Sequence, residues 1–137
     1  MLRYLFDTDH LTLFQHGHVP VARRLTSHPS GAVGISVVTI EESLRGRLAQ
    51  LARAADGPAR IKQYALLEQS FRLFIQFPIV PFDQTVETMF QQLRSVRIGT
   101  QDRKIASVAL ASQLILVTAN RRDFARVPGL VLEDWSV

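Results

Sequence analysis

Acidic side chains recur just beyond apolar runs in this sequence. Asp7 follows Leu2-Arg3-Tyr4-Leu5-Phe6 directly. Ser36 closes a second apolar run, and Glu42 lies two turns into the segment that it feeds. Asp102 stands near the start of a helical stretch, and Thr118, Asn120 and Asp123 follow Leu114-Ile115-Leu116-Val117. Carboxylates gathered at one place repel one another unless a cation sits between them. The chemical reason to gather them is to hold a divalent ion, which can polarise a phosphodiester, activate an attacking water and stabilise a leaving oxygen. That chemistry needs no serine, histidine or cysteine nucleophile. The chain has no cysteine, so a metal would be held by oxygen or imidazole, which favours hard ions such as Mg²⁺ or Mn²⁺.

Whether these groups meet depends on the elements that carry them. Leu2 to Phe6 reads as a short buried strand. A helix over Leu11 to Phe14 follows, with Asp9 placed to cap it and Gly17 to end it. Val19 to Leu25, opened by Pro20, is a second short helix, and Ala32 to Ser36 a second strand. Val37 to about Arg53 is an amphipathic helix, with Ile40, Leu44, Leu48 and Leu51 on its apolar face and Val38, Glu42, Arg45 and Ala49 on another. Asp56-Gly57-Pro58 marks a turn before a helix from Arg60 to Phe77, in which Tyr64, Leu67, Phe71 and Phe74 share helical spacing. Ile79-Val80 is a brief strand. Asp83 caps a helix to about Arg94, and Thr100 caps one over Gln101 to Gln113. Leu114 to Val117, apolar throughout, suits a parallel strand buried on both faces, and Leu130 to Leu132 is a last short strand. Strands alternating with helices imply an α/β fold with a mainly parallel sheet between helical layers. Ligand sites in such folds lie beyond the carboxyl ends of the strands, where the acidic groups fall.

Composition narrows the class further. The 137 residues suit one domain, 1–137, and 47% hydrophobic residues suffice for a packed core. Charged residues at 20% argue against disorder. No signal peptide or membrane span is expected, since Asp7 interrupts Leu5-Phe6 at once, and the lack of cysteine permits a cytoplasmic location. The net charge of +4 suits a polyanionic partner but is weak evidence alone.

Four segments carry a resemblance. Leu5-Phe6-Asp7-Thr8-Asp9-His10-Leu11, Ile35 to Glu42 with Gly46, Ile98-Gly99-Thr100-Gln101-Asp102-Arg103-Lys104-Ile105-Ala106, and Leu116 to Phe124 resemble, in order, the signature blocks of PIN-domain ribonuclease toxins of the VapC type, from toxin–antitoxin systems. The tail Val127-Pro128-Gly129-Leu130 with Glu133-Asp134-Trp135 is also similar. The resemblance implies a PIN-like three-layer α/β/α sandwich. It implies a Mg²⁺- or Mn²⁺-dependent endoribonuclease, dimeric, held inactive by a cognate antitoxin. It assigns Asp7, Glu42 and Asp102 to the core acidic positions, Asp123 to the fourth, and Thr118 and Asn120 to supporting polar positions. Glu42 rather than Glu41 fits because it stands four before Gly46. Asp9 stands where many members have asparagine, so it either adds ligand charge or caps.

Each residue also has a plainer reading. Asp9 is a natural helix cap, Asp102 a first-turn acid facing the helix dipole, Glu41 a solvated helix residue, and Asn120 and Asp123 ordinary turn chemistry. His10 belongs to the opening motif but receives no catalytic role. Tyr64, Phe71 and Phe74 read as core, or as a partly exposed groove for an antitoxin segment. Arg45, Arg47, Arg121 and Arg122 are candidate phosphate contacts. Two other functions compete: a phosphotransferase with Asp7 as aspartyl nucleophile in Asp7-Thr8-Asp9, and a non-catalytic RNA-binding or partner-binding module. Against the first, the only lysines are Lys62 and Lys104, and Glu42 would have no role.

Overall fold

In the computed structural model, which describes residues 1–137, the chain runs β1 (Tyr4–Phe6), α1 (Thr8–Gln15), α2 (Val19–Thr26), β2 (Val33–Ser36), α3 (Val37–Ala52), α4 (Gly57–Phe74), β3 (Ile79–Val80), α5 (Gln84–Gln92), α6 (Thr100–Ala111), β4 (Ile115–Val117), α7 (Arg121–Phe124) and β5 (Leu132–Glu133). The five strands form one sheet in the order β3-β2-β1-β4-β5, with every pairing parallel. No helix is long and apolar enough to cross a membrane.

The sheet separates two cores because successive strand residues face opposite ways. On one face Leu5 and Leu116 pack with Val38, Val86, Ile105, Val108 and Phe124. On the other, Tyr4, Phe6, Ile35 and Val117 pack with Leu11, Val21, Leu73, Phe74 and Trp135. Helices α5, α6 and α7 therefore cover one side, and α1, α2 and α4 the other. Helix α3 serves both, through Val38 on the first side and Ile40 and Leu44 on the second. This is the expected three-layer α/β/α sandwich.

Several local expectations change. Asp7, not Asp9, caps α1: its Oδ1 accepts the His10 N–H at 2.8 Å. Asp7 is also fixed from behind, its N–H donating to Val117 O at 3.1 Å, so the helix starts from the residue already pinned to the sheet. Gly99 precedes α6 in place of Thr100, and β5 lies at Leu132–Glu133 instead of Leu130 to Leu132. Val38 is core and Leu48 is half exposed, against the expected helix faces. Of the aromatic residues on α4, Phe74 is buried while Tyr64 and Phe71 are 58% and 52% exposed. No residue between Thr39 and Ser70 is buried. The α3–α4 pair, with 16 and 18 residues, outreaches strands of two to four residues, so its far end has no sheet to pack on.

The sheet leaves little room at Gly34. A Cβ there would lie 2.9 Å from Leu2 Cδ1, 3.0 Å from Pro78 O and 3.3 Å from Val80 Cγ2. Because one neighbour is backbone, Gly34→Ala must shift β3. The expected cost is about 1–3 kcal/mol, checked by urea denaturation; an unchanged midpoint would mean that β3 yields freely.

Candidate active site

Strand order reverses direction between β1 and β4, the switch point at which open parallel sheets open a crevice. Asp7 leaves β1 and Thr118 leaves β4 on either side of it. Asp7 is 5% exposed and Thr118 is fully buried. Thr118 N–H donates to Glu133 O at 2.8 Å, and its hydroxyl accepts the Asn120 N–H at 2.9 Å. Asn120 then caps α7 and donates from Nδ2 to Asp123 Oδ2 at 3.1 Å. Thr118 and Asn120 thus form a ladder that orients Asp123.

Glu42 arrives from α3, whose start is set by Ser36: its Oγ accepts the Thr39 N–H at 3.1 Å. Glu42 Oε1 accepts the Thr8 hydroxyl at 2.6 Å, and Thr8 Oγ1 lies 3.1 Å from Thr39 Oγ1. Thr8 therefore ties the carboxylate on α3 to the start of α1. Thr8 and Thr39 carry no charge and no recognisable spacing, so nothing in the sequence marks them as site residues. Glu41, by contrast, is exposed and ion-paired to Arg45, and it accepts Gln101 Nε2 at 3.1 Å.

The electrostatics show which acids share a field. Burial pushes the Asp102 carboxyl above its ordinary value of 3.8, and the negative charges of Glu42, Asp7, Asp123 and Asp9 push it further. Asp9 is likewise raised, by burial and then by Asp7, against a smaller lowering by His10. The structure thus brings Asp7, Asp9, Glu42, Asp102 and Asp123 into one field, and no arginine or lysine is ion-paired to any of them.

The donor set is all carboxylate and amide or hydroxyl oxygen, which matches Mg²⁺ or Mn²⁺ and not a soft metal. As placed, no three acids or imidazoles stand close enough to hold one ion between them. Uncompensated carboxylates repel, and Mg²⁺ is commonly held by one or two carboxylates with the rest of its shell water, so the arrangement fits a hydrated hard cation.

A raised acid costs stability near neutrality. Asp102 binds its proton more tightly folded than unfolded, so stability falls as pH rises through the window just above 3.8. Asp102→Asn is therefore expected to raise the metal-free thermal midpoint at pH 7, by an amount that solvent screening of this half-exposed group keeps small, and to flatten its decline as pH rises above about 4. A lower midpoint would show that the charge is compensated.

A PIN domain family model matches residues 4–130, and with this fold and this rim of acids the chain belongs to the PIN-domain family. The relatives that it resembles within the family are of the VapC type. It is 30% identical to the tRNA(fMet)-specific endonuclease VapC of Shigella flexneri, over 99% of this chain and 100% of that protein. Among solved structures, FitAcB from Neisseria gonorrhoeae superposes with a TM-score of 0.73 at 26% identity, covering 98% of this chain and 99% of that one. A toxin–antitoxin complex from Klebsiella pneumoniae gives 0.71 at 26% identity, covering 93% and 95%.

Proposed function

We propose that the protein is a Mg²⁺- or Mn²⁺-dependent endoribonuclease, the toxin of a type II toxin–antitoxin pair, acting in the cytoplasm as a single domain. The observation that carries this reading is the group of five carboxylates in one field with no arginine or lysine ion-paired to any of them. The full-length similarity to a VapC endonuclease supports it. Asp7, Glu42, Asp102 and Asp123 would face the ion, one or two of them directly and the others through its water shell, with Asp9 adding charge at the rim. When bound, the ion supplies Lewis-acid polarisation of the phosphodiester and offsets the charge of the site.

The chain's own groups do the rest. The β1–α1 junction holds Asp7 by its backbone and its cap, so one carboxylate is fixed before any ligand arrives. Thr8 holds Oε1 of Glu42 and leaves the other oxygen without a protein partner. Asn120 orients Asp123. A cavity of about 360 Å³ opens from Thr8 and Glu42 between α1, α3 and α4, bordered by Gln15, Arg47 and Gln50, and offers polar space for substrate. Arg47, Arg121 and Arg122 are the proposed phosphate contacts. Arg45 would first have to leave Glu41.

A cognate antitoxin is the proposed protein partner, and the exposed Leu48, Tyr64 and Phe71 of the α3–α4 arm are apolar surface for it. A homodimer is the proposed assembly.

Antitoxin-free protein is expected to cut labelled RNA with Mn²⁺ or Mg²⁺ and to leave it intact with EDTA. Cleavage that persists in EDTA would refute the metal. RNA binding without cleavage in any metal, across diverse RNAs, would favour a non-catalytic module.

A further inference from the structure

His10 is completely buried in the first turn of α1. Its ring stands between Asp7 and the C-terminal segment. On one side Nε2 accepts the Trp135 backbone N–H at 3.3 Å. Asp134 Oδ1 is 3.6 Å from the same nitrogen, too far for a hydrogen bond, and is already engaged by the N–H and hydroxyl of Ser136. A nitrogen that accepts carries no proton, so the proton of the neutral ring lies on Nδ1. Nδ1 is buried without a hydrogen-bond partner, and the nearest acceptor to it is Asp7 Oδ1 at 3.3 Å, off the line of a good hydrogen bond.

The segment on the far side is rigidly held. Trp135 is fully buried, stacks on His28 at 5.2 Å with 9° between rings, and packs edge-on against Tyr4 and Phe6 at 5.0 and 5.5 Å. Its indole N–H donates to Glu133 Oε1 at 2.9 Å, and Glu133 in turn pairs with Arg24 at 3.1 Å.

We propose that His10 is a positioning residue: anchored through Nε2 by the Trp135 backbone, it directs Nδ1–H at Asp7 and fixes that carboxylate for the divalent ion. The proposal rests on the reading of Asp7 as a metal ligand. An outer imidazole or carboxylate that orients a ligand commonly sets metal affinity. Here the chain's last residues do so for its first acid, across the whole length of the sequence.

Two measurements test it. In the metal-free protein, imidazole ¹⁵N shifts are expected to show His10 neutral and protonated on Nδ1; an Nε2–H tautomer or an imidazolium overturns the proposal. Mn²⁺ affinity, read from the paramagnetic resonance of the free ion, is expected to fall about 10–100-fold in His10→Leu. His10→Asn, which restores a side-chain N–H near the place of Nδ1, is expected to recover most of that loss. If His10→Leu does not fold, the asparagine variant and the tautomer decide. A folded His10→Leu that keeps wild-type Mn²⁺ affinity overturns the positioning role alone. Absence of Mn²⁺ binding by the wild type instead removes the reading of Asp7, and this proposal with it.

Discussion

Asp7→Asn is expected to lower metal-dependent RNA cleavage by at least about a thousandfold, the equivalent of about 4 kcal/mol of lost transition-state stabilisation, while the protein stays folded. The two halves of this expectation have different sources. Activity falls because the fixed carboxylate of the site loses its charge, and an amide is a poor ligand for a hard cation. The fold survives because asparagine caps a helix about as well as aspartate, so the His10 N–H keeps an acceptor where Asp7 Oδ1 now stands. Removing the charge forfeits an attraction to the α1 dipole of about 0.3–1 kcal/mol, but relieves repulsion with Asp9 and Asp102. The thermal midpoint should therefore move by only a few degrees. Single-turnover cleavage with Mn²⁺ beside a melting curve checks both halves. Full activity in a folded variant would remove Asp7 from the site.

Trp135→Ala carries the largest expected loss of stability. The side chain is the largest that is fully buried, wedged among Tyr4, Phe6 and His28 with Arg24 over its ring at 5.2 Å. Emptying such a site costs about 3–5 kcal/mol, a large share of the 5–15 kcal/mol typical of a domain, and should lower the midpoint by about 10–20 °C. Trp135→Phe keeps most of the ring contacts and loses the N–H to Glu133, so its loss should be well under half of that. Far-UV dichroism follows both without relying on tryptophan. A loss in Trp135→Ala of about 1 kcal/mol or less would mean that the tail contributes little to the core.

The exposed aromatics of the α3–α4 arm illustrate the limit of periodicity. Tyr64, Phe71 and Phe74 share a helical spacing, yet only Phe74 lies over the sheet. Spacing identifies one face of a helix. It does not say how far along that face a partner extends, and strands of two to four residues cannot cover a helix of 18.

What the sequence determined by itself was the alternation of short apolar runs with amphipathic segments, hence a parallel sheet between helical layers, and the rule that residues just beyond those runs share one rim. Asp7, Thr118, Asn120 and Asp123 were legible for that reason: their positions follow from where β1 and β4 stop. Glu42 and Asp102 were candidates by the same rule, but their convergence on the rim rested on the ordered blocks, because a helix can present an acid in any direction. Tertiary structure decided the rest. Asp7 became the cap in place of Asp9 because the β4 carbonyl of Val117 already fixed its backbone. Thr8 came to Glu42 because α1 and α3 meet at the rim. His10 met Trp135 because β5 lies beside β4 and returns the tail beneath α1. Each of these is a contact between residues remote in sequence or a choice between neighbouring acids, and local pattern carries no information about the distance that settles it.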